Sequence, residues 1–170
     1  MIGPNADNIN ALRANYYGTA SNPVTIINGI KAKSGSEIEV VYHKGVALVT
    51  SQYKDSLVLS KKILKDIQTA DVAIFVGGLD ATWEGEESNK MRSREGVDGF
   101  YGGDRTKIEL PKVQLNALKA INKTGTPIIF VLLAGSAISF NGLEQEIEGI
   151  LAAWYPGQRG GDAVADVLFG

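Results

Sequence analysis

DVAIFVGGL, residues Asp71 to Leu79, is an almost unbroken apolar run that leads into two glycines. PIIFVLLAG, residues Pro127 to Gly135, has the same character. Short runs without polar alternation are typical of strands that are buried on both faces, as in parallel sheets covered by helices. The two stretches therefore predict two central strands of an α/β domain.

Further strands and helices alternate with these two runs. The other strand-like segments are EIEVVYHKG (37–45), GILAAWYPG (149–157) and the first residues, MIGPN (1–5). Four segments between them are predicted to be helical: NPVTIINGIKAKSG (22–35), KDSLVLSKKILKDIQTA (54–70), LPKVQLNALKAINKTG (110–125) and GGDAVADVLF (160–169). We predict one domain over residues 1–170, a three-layer α/β/α sandwich with a mostly parallel sheet of about five to six strands.

Two of the helices have distinct sequence signals. In residues 54–70, Leu57, Leu64 and Ile67 recur at helical spacing, which predicts a helix that packs on the sheet. In residues 110–125, we expect Pro111 in the first helical turn and a closing glycine at Gly125.

Composition limits the possible partners and chemistry. The chain has 170 residues, 44% hydrophobic and 21% charged, with a formal net charge of -2, so neither nucleic acid nor an anionic membrane is an expected partner. The absence of cysteine excludes disulfides, thiolate catalysis and zinc sites built on sulfur. No apolar run is long enough to span a bilayer, and the first residues do not form a signal peptide.

The long segment from Leu79 to Leu110 departs from the regular alternation. It leaves the carboxyl end of a predicted strand, where open α/β sheets place their ligand sites, and it begins with DATWEGEE. Its glutamates form either a solvated acidic loop or a site that contains a catalytic acid. Trp83 favours the second interpretation for Glu84, because an indole shields a neighbouring carboxyl from water and favours its protonated form.

Later in the same segment, GVDGFYGGDR (96–105) has the aspartates and glycines of a calcium loop but lacks the alternating ligand positions of one. We expect Asp104 and Arg105 to act instead as structural anchors that tie the loop to the domain. No metal site is predicted. The glycines after the strand lack both the Walker lysine and the GxGxxG spacing, so no nucleotide or other cofactor is expected.

Two other segments contain candidate site residues. Trp154 and Tyr155 precede a Pro-Gly turn at another strand end, where their rings could equally stack on a sugar or pack against a neighbouring domain. The single histidine, His43, has no second histidine with which to bind a metal, and we expect it at the sheet edge without a functional role.

Taken together, several motifs resemble the C-terminal α/β sandwich domain of glycoside hydrolase family 3. They occur in the family's order and cover nearly the whole chain: IGPNADN (2–8), NYYG (15–18), ADVAIFVGGLDATWEGEE (70–87), GGDRTKIELPKVQ (102–114) and AWYPGQRGGDAVADVLFG (153–170). The combination of EGEE with a later GGDR is most similar to the β-xylosidase group, with β-glucosidases next.

The resemblance implies a part of a retaining, exo-acting β-glycosidase that removes β-linked sugars from oligosaccharides. In the family, the loop that corresponds to residues 79–110 carries the general acid/base glutamate. Motif for motif this residue is Glu84, with Glu86 and Glu87 as the alternatives if the loop aligns differently. Trp83 and Trp154 are candidate substrate-binding residues. The nucleophilic carboxylate and most of the sugar pocket belong to a preceding N-terminal barrel domain, which this chain lacks.

Several expectations follow from the absence of a barrel domain. The chain starts within a strand-like segment and stops directly after a helical one, so we expect it to be an excised domain that is inactive alone. We expect the segment from Thr82 to Gly103 to be its most mobile part. The parent protein is expected to be periplasmic or secreted, although the localisation of the chain itself stays open. The alternative is a non-catalytic carbohydrate-binding or domain-docking module.

Overall fold

A computed structural model describes residues 1–14, 18–50, 59–84, 96–101 and 104–170. Within these ranges the elements follow in this order: α1 (Asn10–Arg13), α2 (Ile26–Ser34), α3 (Lys61–Gln68), β1 (Ala73–Gly78), α4 (Ala81–Glu84), β2 (Phe100–Tyr101), β3 (Asp104–Arg105), α5 (Lys112–Asn122), β4 (Ile128–Leu133), a 3₁₀ turn (Leu143–Glu146), β5 (Gly149–Ala152) and α6 (Gly160–Phe169).

The central sheet is parallel and has the strand order β1-β4-β5. The two apolar runs lie side by side in it, with Ala73 opposite Ile128 and Gly78 opposite Leu133. Beyond β1, the sheet continues through single parallel bridges, since Ile2 pairs with both Phe75 and His43. The segments 1–5 and 37–45 thus lie at the edge of the sheet where strands were predicted, but they form isolated bridges, two at Ile2 and one at His43, rather than strands.

Helices cover both faces of the sheet, which confirms the α/β class. Phe75 and Phe130 stack with ring centroids 5.2 Å apart and belong to a core that includes residues of α3 and α5. The adjacent Val76 and Val131 point to the other face and pack with residues of α2 and α6. Because successive side chains of a strand alternate between faces, one nearly continuous apolar run supplies both cores.

The sheet itself is smaller than predicted, and two helix starts differ. Among the described residues it has three strands, not five to six. The helix predicted over 54–70 begins only at Lys61, because Ser60 is its N-cap and accepts a 3.2 Å hydrogen bond from Ile63 N. Residues 51–58 lie outside the described part. Pro111 is the N-cap of α5 and not its first helical residue.

Two buried amide side chains hold the carboxyl end of β1. Gln114, on α5, accepts a 2.9 Å hydrogen bond from Gly78 N and donates to Gly78 O and Leu48 O at 2.8 Å. From the opposite side, Asn5 donates to Leu79 O at 2.9 Å. Gly78 has a φ of +109°, and a Cβ there would come within 2.0 Å of Leu133 O. Buried backbone groups at this irregular turn are therefore satisfied by side chains.

Replacing Gln114 by leucine tests this arrangement. The variant keeps the approximate volume but removes a donor and an acceptor from buried backbone groups, so we expect Gln114→Leu to lower the free energy of unfolding by about 2–4 kcal/mol. Chemical denaturation of the 170-residue chain measures the change. Gln68→Leu, at an exposed position near the end of α3, is the matched control and should change it by less than about 0.5 kcal/mol. Equal effects of both substitutions would contradict the proposed role of Gln114.

Candidate active site

The candidate site lies where the three parallel strands end. The chain leaves β1 into the segment Leu79–Glu84, leaves β4 into Gly135 and Ser136, and leaves β5 into Trp154 and Tyr155. Because β1, β4 and β5 are neighbours and run in the same direction, these three exits meet at one edge of the sheet. The predicted location of the site at a strand's carboxyl end corresponds to this edge.

Asp80 shapes the turn that carries Glu84. It is 7% exposed, and its Oδ1 accepts hydrogen bonds from Thr82 N at 2.9 Å and Thr82 Oγ1 at 2.5 Å. Its other carboxylate oxygen accepts from Asn8 Nδ2 at 3.3 Å. An aspartate that accepts from the N–H two positions later caps the first turn of a helix, here the single turn α4. We did not identify Asp80 from the sequence, although an aspartate directly before a helical turn is a recognisable cap signal.

At the end of α4, the carboxylate of Glu84 contacts the loop after β4. Glu84 Oε1 accepts hydrogen bonds from Ser136 N at 3.2 Å and from Ser136 Oγ at 3.0 Å. The side chain of Arg105 contacts the same loop, donating to Ser136 Oγ at 2.6 Å and to Ala137 O at 3.0 Å. The structure therefore brings together two residues singled out from the sequence, Glu84 and Arg105, through a serine that was not.

Arg105 also reaches Glu109 O, at 3.4 Å. Burial lowers the pKa of its guanidinium, and the negative charge of Glu84 opposes that shift. An arginine in this position stays charged at neutral pH. It places a fixed positive charge beside the acidic side chain.

Tyr155 also lies close to the Glu84 carboxylate. A Cβ placed on Gly135 would be 2.6 Å from Glu84 Oε2 and 2.9 Å from Tyr155 Cε2, so the carboxylate and the ring both pack over bare glycine backbone. The Tyr155 hydroxyl is buried and lies close to the Glu84 carboxylate, although it meets the full geometry of a hydrogen bond with no group in the described ranges. Burial, and next the charge of Glu84, raise the pKa of Tyr155.

The remaining candidate residues are placed as follows. Trp83 contacts Phe100 edge to face, with ring centroids 5.1 Å apart. Trp154 is 64% exposed and has a φ of +47°, an uncommon backbone conformation for a bulky residue. Asp104 is exposed and pairs antiparallel with Tyr101. Glu86 and Glu87 lie outside the described residues, as do positions 85–95 and 102–103 of the segment expected to be most mobile.

The segment considered as a calcium loop is held by other contacts. Asp98 pairs with Lys107 at 2.7 Å, and no three histidine or acidic side chains in the described ranges are grouped closely enough to hold a metal ion. His43 lies at the sheet edge, with its Nε2 3.0 Å from Asp66 Oδ2. Lys62 also binds that carboxylate, and its hydrogen bond is the main reason why the pKa of Asp66 is lowered.

Comparison with known proteins identifies the family. Residues 1–170 match the Glycosyl hydrolase family 3 C-terminal domain. A xylan 1,4-beta-xylosidase of Xylanibacter ruminicola is 38% identical over 147 residues, and a beta-xylosidase of Formosa agariphila is 32% identical over 176 residues; these matches cover 83% and 100% of the chain. A periplasmic beta-glucosidase of Salmonella typhimurium is 27% identical over 173 residues, which also span the whole chain.

A solved structure has the same fold. It is a GH3 exo-beta-xylosidase (XlnD) in complex with a xylobiose aziridine activity-based probe, with a TM-score of 0.78 and 27% sequence identity over 98% of this chain. The chain corresponds to only 19% of that structure, and to 16%, 22% and 23% of the lengths of the three sequence relatives. Within the described residues, no helix has the length and apolarity needed to cross a membrane. The chain belongs to the C-terminal domain family of glycoside hydrolase family 3.

The buried hydroxyl of Tyr155 leads to a pH-dependent prediction. Folding raises the pKa of Tyr155. The protonated hydroxyl therefore stabilises the folded state fully below the pKa of an unfolded tyrosine, about 10, and this stabilisation is lost as the pH rises above that value. At neutral pH, Tyr155→Phe removes a buried hydroxyl that makes no hydrogen bond of good geometry, so the free energy of unfolding should change by less than about 1 kcal/mol. Between pH 9 and pH 11, the free energy of unfolding of the variant should fall by up to about 1 kcal/mol less than that of the unsubstituted chain.

Denaturant titrations of the 170-residue chain at pH 7, 9 and 11 measure both effects. Tyr101, which is 81% exposed, supplies the matched control Tyr101→Phe. The free energy of unfolding of this control should equal that of the unsubstituted chain at each pH. A destabilisation of more than about 1 kcal/mol by Tyr155→Phe at pH 7 would show that the hydroxyl has a hydrogen-bond partner. The same alkaline loss in both variants would show that folding does not raise the pKa of Tyr155.

Proposed function

We propose that this family 3 domain supplies the general acid/base of a retaining, exo-acting β-glycosidase, and that Glu84 is that residue. The observation that carries the proposal is the position of the Glu84 carboxyl at the shared carboxyl edge of the three strands, where Ser136 holds one of its oxygens. A carboxyl that is oriented by its neighbours beyond the end of a strand is suited to protonate a glycosidic oxygen.

The reaction needs a second carboxylate from another part of the parent protein. In a retaining glycosidase, the acid and the nucleophile lie about 5–5.5 Å apart on either side of the scissile bond. We assign the nucleophile to an N-terminal barrel domain of the same parent. Glu84 first donates its proton to the leaving-group oxygen while the nucleophile forms a covalent glycosyl-enzyme. It then removes a proton from the water that hydrolyses this intermediate.

For the substrate, we favour terminal β-linked xylose in an oligosaccharide, with β-linked glucose as the second choice. Both β-xylosidases described above, from Xylanibacter ruminicola and Formosa agariphila, are more than 30% identical to this chain. The isolated chain should not hydrolyse either substrate, because an acid without a nucleophile leaves the covalent step undone. The Salmonella relative named as periplasmic supports an exported parent.

A non-catalytic role is the second candidate. Trp154 combines a strained backbone with a side chain that is 64% exposed, and such a residue would suit sugar binding or contact with another domain without any chemistry. The kinetic behaviour of Glu84 variants distinguishes this role from catalysis.

Replacing Glu84 by glutamine in the full natural protein tests the catalytic role. The amide keeps the shape but cannot donate or accept the proton, so rates on substrates with poor leaving groups should fall by about 10²–10⁴-fold. Substrates with activated aryl leaving groups should lose less in the first step. Added azide should then restore turnover and yield a β-glycosyl azide, because azide attacks without a base.

Glu86→Gln and Glu87→Gln are the matched controls, and they should show little loss and no rescue by azide. If one of these variants shows the rescue and Glu84→Gln does not, the general acid/base is that other glutamate. If none of the three shows a loss that depends on the leaving group, the non-catalytic role is the better account.

A further inference from the structure

Ser136 makes two hydrogen bonds to the same oxygen of Glu84. Its backbone N–H and its hydroxyl both donate to Oε1, at 3.2 Å and 3.0 Å. α4 is only four residues long, and a single helical turn has little stability of its own. Contacts outside the helix must therefore restrain the Glu84 side chain, and Ser136 donates two hydrogen bonds to it.

Arg105 determines the orientation of the Ser136 hydroxyl. Its guanidinium donates to Ser136 Oγ at 2.6 Å, and two backbone carbonyls, Ala137 O and Glu109 O, hold the same guanidinium in place. Because Arg105 donates a hydrogen bond to the hydroxyl oxygen, the hydroxyl proton points away from the guanidinium and towards an acceptor. The acceptor in reach is Glu84 Oε1, so Arg105, Ser136 and Glu84 form a chain of charge-assisted hydrogen bonds.

Gly135 leaves room for the second carboxyl oxygen. Glu84 Oε2 lies over the glycine, where an added Cβ would be only 2.6 Å away. We propose that Ser136, oriented by Arg105, is a positioning residue for Glu84: it fixes Oε1 and so presents Oε2 for proton transfer to the leaving-group oxygen. This inference rests on the proposed role of Glu84 as general acid/base.

The test uses the protein in its full natural length and two kinds of substrate. Xylobiose has a poor leaving group and needs the proton, whereas 2,4-dinitrophenyl β-xyloside needs almost none. We expect Ser136→Ala to lower kcat/KM for xylobiose about 10- to 100-fold, mainly through kcat, and to lower that for the dinitrophenyl xyloside less than about threefold. Ser136→Thr, which keeps the hydroxyl at an exposed position, should restore most of the activity.

Two more measurements separate positioning from a purely structural role. Ser136→Ala should lower kcat for xylobiose while KM changes by less than about twofold, because the lost hydrogen bonds orient the acid and do not bind the substrate. The other charged or titratable groups around this carboxylate are Arg105, Tyr155 and Asp80, with Glu109 beyond the arginine, and all of them are unchanged in the variant. Adding Arg105→Lys to Ser136→Ala should cause no further loss on xylobiose, because the two residues act in one chain.

Ser139→Ala is the matched control. Its hydroxyl lies in the same loop but accepts from Asn141 N, and its removal should leave both substrates unaffected. Equal losses on both substrates with Ser136→Ala, or a loss that lies mainly in KM, would overturn the positioning role. If Glu84→Gln shows azide rescue in that case, the proposed function stands without this inference. If Glu84→Gln shows no loss that depends on the leaving group, both are wrong.

Discussion

The arrangement of the candidate site depends on how two buried amides hold the end of β1. Gln114 binds both backbone groups of Gly78, and Asn5 binds the carbonyl of Leu79, at the point where the chain stops pairing with β4. A backbone that leaves a buried strand without such partners would carry unsatisfied polar groups at a cost of about 1–3 kcal/mol each. The amides make one exit path favourable, and this path leads directly to Asp80 and the turn that ends in Glu84.

Rigid attachment at the strand ends matters for acid/base chemistry. Proton transfer requires the donor oxygen to lie within hydrogen-bond distance of the acceptor, and a misplacement of about 1 Å costs roughly 100-fold in rate. Glu84 lies six residues beyond the last residue of β1, and its partner Ser136 lies three residues beyond the last residue of β4. Two short connections from neighbouring strands thus meet, and each limits the motion of the other. The position of Arg105 adds a third connection, from β3.

The strands that depend only on the residues of one segment were predicted correctly from the sequence. The apolar runs around Phe75 and Phe130 became the central strands, and the segment around Gly149 became β5. The segment 37–45 was predicted to be a strand but pairs only through a single bridge, at His43. Its alternating residues do not determine over how many positions a neighbouring segment pairs with it. Asn5, Gln114 and Ser136 were missed as individual contributors, since each acts through partners 36 to 74 residues away. Glu84 could be singled out because the family motif points to it, and Arg105 because charged residues in a long loop predict an anchor. The serine between them could only be seen in three dimensions.

A crystal structure of the full natural protein, carrying Glu84→Gln and holding intact xylobiose, tests the central claim most directly. Ser136 should still donate to the amide oxygen of the substituted side chain. The amide nitrogen should then lie about 2.6–3.2 Å from the glycosidic oxygen. A structure in which the carboxyl of Glu86 or Glu87 contacts that oxygen, while the side chain at position 84 stays directed towards Ser136 and away from the sugar, would contradict the account.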